Sequence, residues 1–397
     1  MIWPDFSYII NEMRKINLLY VITKLELGGA QKQLLSLIAR LDKKRFNIFL
    51  FTAKEGLLIQ DALAINGVTL IKSRNLERAI NPLKDFLAFL EIYRSSKENK
   101  IEIVHTHSSK AGVIGRWAAR LAKVKFIIHT VHGWSFNDYQ PFFIYQLFIV
   151  FERISARITD RLIVVSGHDK EKGLRNHIGN EDKYALIQYG IDYAEFIRKD
   201  NIREELGIRP EDLAVGMVAC FKAQKSPQDF IKLAFSVNQI ISGVKFILVG
   251  DGALRKPVEG LIKRFGLSDK IILTGWRRDV YRILPVFDIF VLTSLWEGMP
   301  VSALEAMASS KPLVATQTGG IQEIVIEGET GFLVPRGNLK KMSEKLVLLL
   351  KDERLRKEMG KNARDFLGSD FHTQNMVKKN QDLYENLICR KEQKNVN

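Results

Sequence analysis

The sequence of 397 residues has only two cysteines, Cys220 and Cys389, far apart and outside any CxxC spacing. This excludes a disulfide framework and a zinc-finger ligand set, and it points to a reducing compartment. Long apolar runs are also missing. The longest, "PFFIYQLFIVF" from Pro141 to Phe151, is interrupted by Gln146 and is about half of the ~20 residues a membrane-crossing helix needs. The opening "MIWPDFSYIINEMRK" carries Asp5 and Glu12 and lacks the basic-then-apolar order of a secretory leader. A cytoplasmic protein is therefore expected. No GxGxxG is present, nor any short-period repeat.

Acidic residues are outnumbered, 45 against 60 Lys and Arg, for a net charge of +15 spread over both halves of the chain. Such a charge favours anionic partners, whether nucleic acid, the anionic face of a membrane or a phosphate-bearing substrate. The basic residues are dispersed and no recognition motif appears, so no nucleic-acid partner is expected.

Hydrophobic residues make up 46% and charged residues 26%, the balance of a folded soluble protein whose length calls for two domains. Strand-like runs fall at 16–22, 47–52, 68–72, 101–106, 125–131 and 161–166, most of them separated by segments of helical period. A second series falls at 213–221, 245–250, 271–276, 289–294, 312–317 and 331–335. Alternation of this kind predicts two Rossmann-like, doubly wound α/β domains in tandem. We divide the chain at 1–195 and 196–370, with a polar linker near 193–210. The segment 371–397 is expected to form an amphipathic helix that returns to the first domain and ends in a polar tail.

Ligands bind such sheets at the carboxyl ends of the strands. There, "WEGMPVSALEAMA" (296–308) places Pro300 as the opening residue of a helix, with the N–H groups of Val301 and Ser302 beside a positive dipole suited to phosphate. Glu297 lies in the loop before this helix and Glu305 inside it. Two carboxylates flanking a phosphate site suit sugar rings on either side of a diphosphate, although solvated glutamates at an ordinary helix start have the same spacing.

The constellation resembles the GT-B glycosyltransferases of the retaining family 4 type: two Rossmann-like domains facing across a cleft, and E-x7-E as Glu297 and Glu305 after Ser294. The resemblance implies that Glu297 holds the transferred sugar and Glu305 the ribose, with Gly298 and Met299 against sugar and diphosphate. "ACFKAQKSP" is similar to the family loop whose arginine and lysine grip the donor phosphates. Lys225 takes the lysine position, but Cys220 takes the arginine position, and Lys222 is the nearest substitute. The resemblance also places the Gly28–Gly29 loop, Gly250 and Gly252, and the loop bearing Trp276 and Arg277 along the donor cleft. His132 matches the histidine that approaches the transferred sugar. His105, Ser108, Ser109 and Lys110 sit where relatives meet the acceptor. At the linker, "YGID" departs from the usual NGVD through Tyr189.

From their spacing alone, His105 and His107 would share one side of a strand, as in some metal sites, but no further ligands accompany them. No metal or other cofactor is expected. The run 135–158 admits two readings, a crossover helix packed on the sheet or an apolar surface dipping into a membrane beside Arg153, Arg157 and Arg161.

The resemblance implies transfer of a sugar from a nucleotide-diphosphate donor, of the UDP type, to a glycan hydroxyl with retained configuration. The resemblance, together with the charge and the apolar run, implies a lipid-linked or oligosaccharide acceptor, with the protein peripheral on the inner face of the cytoplasmic membrane. A sugar-nucleotide 2-epimerase and a non-catalytic donor-binding subunit remain as alternatives.

Overall fold

Strands form where apolar runs are covered on both faces, and every residue of "FIIHTV" (126–131) is buried, His129 and Thr130 included. The computed structural model describes residues 14–197 and 202–396, with side chains of the last helix described as far as 389. The opening segment 1–13 and linker residues 198–201 lie outside the described residues.

The first sheet contains β1 (Ile16–Ile22), β2 (Phe46–Ala53), β3 (Val68–Ser73), β4 (Ile103–His107), β5 (Phe126–Val131), β6 (Arg161–Val164) and β7 (Tyr184–Leu186). The second contains β8 (Leu213–Val218), β9 (Val244–Val249), β10 (Ile271–Gly275), β11 (Ile289–Leu292), β12 (Leu313–Thr316) and β13 (Gly331–Val334). Their orders are β3-β2-β1-β4-β5-β6-β7 and β10-β9-β8-β11-β12-β13, and every pairing is parallel. Parallel neighbours need crossovers. In the first half these are α1 (Gly29–Arg40), α2 (Ile59–Leu63), α3 (Pro82–Glu98), α4 (Ser109–Leu121), α5 (Phe142–Arg157) and α6 (Gly167–Arg175). In the second they are α7 (Pro227–Asn238), α8 (Arg255–Arg264), α9 (Val280–Ile283) and α10 (Val301–Ala308), followed by α11 (Leu339–Lys351), α12 (Glu353–Leu367) and α13 (Thr373–Val396). Strand order reverses between β1 and β4 and again between β8 and β11, which opens a crevice at the strand ends there.

Four details depart from the sequence-based expectation. β7 has three residues, too few to produce an apolar run. The linker is not a free tether, because Phe196, Ile202 and Ile208 are buried in the second core. Pro300 precedes the first helical residue of α10 instead of opening the helix, with extended backbone at ψ 106°. The polar tail also continues α13 to Val396.

α13 lies on the first domain. Met376, Val377, Tyr384, Leu387 and Ile388 share one buried cluster with Leu18, Tyr20 and Ile103. The Tyr384 hydroxyl lies 3.0 Å from that of Tyr20 and 2.8 Å from His105 Nδ1, so the helix is keyed to the sheet by polar groups inside an apolar contact.

α5 is built inside out. Its buried face presents Ile149, Ser155 and Ala156 together with Glu152, whose carboxylate receives Arg116 Nη2 at 2.7 Å with both side chains almost wholly inaccessible. Phe142 and Phe143 are 77% and 74% exposed, and Leu147, Val150, Phe151 and Ile154 also face outward. Packing against the sheet thus accounts for few of the aromatics and aliphatics in this run. Removing one partner of a buried ion pair strands the other, at a cost of ~3–5 kcal/mol. Glu152→Ala is therefore expected to lower the unfolding free energy by that much, read as a lower urea midpoint, whereas the double variant Arg116→Met/Glu152→Leu should recover most of the loss.

Candidate active site

The loop after β11 is held from three sides before it enters α10. From the β8 side, Leu295 N donates to Gln224 O at 2.7 Å, Gln224 Nε2 donates to Trp296 O at 2.9 Å, and Thr293 Oγ1 donates to Lys225 O at 3.1 Å. These bonds set Lys225 against Glu297, and the two form an ion pair with both side chains mostly buried. From the first domain comes the His132–Gly133 turn after β5. A Cβ on Gly298 would lie 2.7 Å from His132 O and 2.8 Å from Gly133 N, so only glycine permits the approach. The third side is the turn after β12. Gly319 adopts φ +56° with its α-carbon against Glu297 O, Gly320 N donates to Gly298 O at 2.6 Å, and Thr318 Oγ1 donates to Leu295 O at 3.2 Å.

Lys222 joins the pair. Burial, and then the neighbouring Lys225, pull its ammonium below the usual lysine range, while Glu297 acts in the opposite direction. A Lys–Lys–Glu cluster thus stands where strand β8 and strand β11 end. Met299 and Val301 are buried and Ser302 is partly exposed. Ser294 Oγ, beneath the loop, has no partner among the described residues.

Glu305 belongs to a different space. A cavity of about 440 Å³ is bounded by Glu305, Lys32 and Arg40 of α1, Gly190, Arg278 and Tyr281. Burial raises the Glu305 carboxyl above its ordinary value, and Lys32 opposes that shift. Of the two glutamates, only Glu305 borders this cavity. Between them in the chain, the Val301 side chain stands against Gly29, where a Cβ would meet it at 2.9 Å. Gly28 and Gly29 therefore bring α1 close to α10.

Several expected ligand contacts are otherwise engaged. Arg277 donates to Asp279 at 2.7 Å and to Glu205 at 3.0 Å, whereas its neighbour Arg278 lines the cavity and crosses to Asp61 of α2 at 2.7 Å. Trp276 is 40% exposed and is not part of the cavity wall. Gly250 and Gly252 lie against the backbone of Ala219 and Phe221, supporting the Lys222 loop from behind.

The acceptor assignment of His105 is corrected by its burial. The ring is wholly enclosed, with Nδ1 on Tyr384 and Nε2 on Thr130 Oγ1 at 2.6 Å, so it belongs to the core. Ser108, with φ +65°, shares a 2.7 Å hydrogen bond with Thr23, and Ser109 opens α4. Lys110 is paired with Asp85. His105 and His107 do face one way, with ring centroids 4.3 Å apart. Among the described residues no group of three or more His, Cys, Asp or Glu is placed to hold a metal ion.

His132 does stand beside the Glu297 loop, but both of its ring nitrogens are taken. Nε2 lies 2.8 Å from His107 Nδ1, and Nδ1 lies 2.6 Å from the Tyr189 hydroxyl. Burial pushes His132 down to about 4 and His105 down to about 3, and it lowers His107 and His129 as well. All four rings are neutral at pH 7.

Four contributors were missed in the sequence: Arg278, Lys32, the Thr318–Gly320 turn and Tyr189 as a partner of His132. A Thr-Gly-Gly turn following a strand-like run was the available signal for the third. Nothing local marks the others.

Two facing parallel sheets, with a Lys–Glu pair at one strand end and a carboxylate-lined cavity beside it, define a two-domain transferase of the GT-B class. Residues 27–195 match the family description "Glycosyltransferase Family 4", and residues 198–366 match "Glycosyl transferases group 1". The chain is 32% identical over 384 residues to the Escherichia coli UDP-Gal:alpha-D-GlcNAc-diphosphoundecaprenol alpha-1,3-galactosyltransferase, covering 95% of this chain and 98% of the relative. It is 30% identical over 321 residues to the E. coli O-antigen biosynthesis glycosyltransferase WbnH, covering 80% and 86%. Among solved structures, Anabaena HepE in complex with UDP and glucose aligns with a TM-score of 0.80 at 21% identity, over 94% of this chain and 100% of that one. WaaG, a glycosyltransferase of lipopolysaccharide biosynthesis, aligns with a TM-score of 0.77 at 15% identity, over 92% and 99%. These last two show the shared fold. The chain belongs to the family 4 glycosyltransferases of GT-B fold, and it is a nucleotide-sugar-dependent glycosyltransferase.

The buried histidines give stability a pH dependence of definite sign. Their folded values lie below the ordinary 6.5, so the folded protein binds fewer protons than the unfolded chain as pH falls below 6.5. Each ring held neutral costs about 2 kcal/mol at pH 5. Asp169 acts oppositely: burial raises it to about 7 from 3.8, so stability from this group grows as pH falls through 7. Glu305, likewise raised by burial, acts with Asp169, but His168 is lowered along with the four enclosed histidines, and the more numerous histidines leave a net loss. Thermal unfolding is expected at a clearly lower temperature at pH 5 than at pH 7.5, with a smaller difference in His105→Asn.

Proposed function

We propose that this transferase moves galactose from UDP-galactose to a hydroxyl of a GlcNAc-diphosphate lipid, with retained configuration and without a metal. The observation that carries the donor half is the Lys222–Lys225–Glu297 cluster at the N-terminus of α10, beside the Glu305 cavity. As the glycosidic bond breaks, negative charge gathers on the leaving diphosphate. Lys225, Lys222 and the N–H groups of Val301 and Ser302 stabilise that charge more in the transition state than in the ground state. Glu297 then holds hydroxyls of the transferred sugar, and Glu305 those of the ribose. Gly28, Gly29, Gly298 and Met299 shape the wall around the diphosphate, while the Trp276 loop and Arg278 border the nucleoside.

Retention is favoured by the state of Glu297. The carboxylate nearest the reacting centre, Glu297, is held by Lys225 and cannot readily take the acceptor proton, which leaves the donor phosphate to accept it. The choice of UDP-galactose and of a diphospholipid acceptor rests on the E. coli relative aligned across nearly the whole chain. Ser108, Ser109 and Lys110, at the start of α4, line the acceptor side.

The outward apolar face of α5 supports a peripheral position at the cytoplasmic membrane face. Among the described residues no helix is long and apolar enough to cross a membrane. Phe142 and Phe143 open α5, nine residues after Gly133, and Tyr139 in the intervening loop packs on Trp296 at a ring separation of 5.3 Å. The apolar face therefore begins at the cleft rim, where a lipid-linked acceptor would enter. Exposed aromatic groups beside a net positive charge suit an anionic bilayer.

UDP release from UDP-galactose, measured in EDTA with GlcNAc-diphosphoundecaprenol, tests the proposal. Wild type is expected to turn over. Lys225→Ala should lose ~2.7–4 kcal/mol of transition-state stabilisation, and Glu297→Ala should be similarly inactive. Turnover that requires added metal would refute the metal-free chemistry. Phe142→Ser/Phe143→Ser is expected to stop co-sedimentation with anionic vesicles, and unchanged sedimentation would remove α5 from the membrane contact.

A further inference from the structure

The cavity between α1 and α10 is bordered by two charged groups that the fold leaves unmatched. Glu305 is only 9% exposed, and its carboxylate accepts no hydrogen bond among the described residues although it borders the open space. A carboxylate so enclosed is costly unless something else supplies donors. On the side of the first domain the cavity is walled by α1, whose Lys32, Ser36 and Arg40 recur at four-residue steps and so share one side of the helix. Gly29 permits this closeness, because Val301 stands where its side chain would be.

Three of the lining residues are cations, and two of these are spent. Arg40 Nη1 donates to Ser36 Oγ at 3.0 Å, and its Nη2 lies 3.4 Å from Asp192. Arg278 holds Asp61 through two bonds and also donates to Leu57 O. Lys32, by contrast, has no hydrogen-bond or ion-pair partner among the described residues. Its ammonium is near enough to offset part of the upward shift of the Glu305 carboxyl, yet it forms no pair with it.

The build of a nucleoside diphosphate orders what would fill this space. The diphosphate lies on the N–H groups of Val301 and Ser302, and the ribose on Glu305, about 6 Å further along α10. The base, carried across the ribose from the 5′-phosphates, then extends into the rest of the cavity. Phe196, Val280 and Tyr281 give it an apolar wall there, and a volume of about 440 Å³ is that of a small-molecule pocket. An ammonium has three donors and no acceptor, so it suits an exocyclic carbonyl oxygen and gains nothing from an amino group. We propose that Lys32 reads the nucleobase, its ammonium donating to a carbonyl oxygen of uracil. Adenine offers no such oxygen. Base choice is then made by the domain opposite the one that holds the ribose and the diphosphate. The assignment rests on the sugar-transfer reading above, because it takes Glu305 to hold the ribose of the donor.

The test measures dissociation constants of UDP and ADP in EDTA for the full chain and for Lys32→Met, Lys32→Arg and Glu305→Ala, with thermal unfolding as a check on folding. Wild type is expected to bind UDP about tenfold or more tightly than ADP. Lys32→Met should lose about tenfold for UDP while its ADP affinity stays within twofold of wild type. Arginine, which keeps the donors, should retain part of the preference. The assignment is overturned if wild type does not prefer UDP, or if Lys32→Met leaves the UDP-to-ADP ratio unchanged. Equal losses for both nucleotides would have that result, as expected of a cation that only attracts phosphate or offsets Glu305. Failure of wild type to bind either nucleotide, or UDP binding indifferent to Glu305→Ala, would instead overturn the donor placement itself, and this assignment with it.

Discussion

The site depends on an approach of backbone to backbone. At Gly298 the loop that carries Glu297 touches the His132–Gly133 turn of the other domain, while Gly319 and Gly320 press on it from its own domain. No side chain separates these three turns. A single added methyl at Gly298 or Gly319 would collide with main-chain atoms, which cannot swing aside as side chains do. The position of Glu297 is thereby fixed by peptide groups of three segments distant in sequence. Its ion pair with Lys225 is then a consequence of the loops and does not itself set their geometry.

Around this point the two domains meet mainly through small and polar groups. Glu323 accepts from Gly167 N and His168 N at the start of α6 at 3.0 Å and 2.8 Å, Arg278 crosses to Asp61, and Arg336 to Asp138 at 3.2 Å. Such contacts resemble those of transient interfaces, for which relative domain movement is the ordinary expectation. The second domain's core is by contrast one continuous apolar cluster, and the first domain's consists of three. Rigidity thus resides in the sheets, and adjustability in the polar contacts between them.

Much of the architecture was legible in the sequence because parallel strands buried on both faces read as uninterrupted apolar runs. Of the strands, only β7 escaped, being three residues long and lacking that signal. The Lys–Glu pairing across 72 residues was legible only through likeness to a family, since nothing in "AQKSP" or "WEGMP" alone demands that they meet. The fate of the histidines was not legible. The side of a strand that a ring occupies follows from alternation, but whether that side meets solvent or α13 depends on a helix starting at Thr373. His105 thus moved from acceptor contact to core. Arg277 and Arg278 changed places for a similar reason: their neighbours Asp279, Glu205 and Asp61 decide which guanidinium is spent within its own domain. In α5, local pattern left two readings open because the buried side is ionic, with Arg116 supplied by another helix.

The crossing of α13 back to the first sheet bears on the order in which the molecule can be made. Met376, Val377, Tyr384, Leu387 and Ile388 complete a core whose other members, from Ile16 to Ile187, leave the ribosome long before them. During synthesis the first sheet must wait with that patch uncovered while the whole second domain emerges and folds. The N-terminal half therefore shares part of its core with the last helix, despite its separate sheet. A chain halted shortly before its end would expose the apolar side of β1 and β4, and with it a surface prone to association, even though every residue of the candidate active site had already been synthesised.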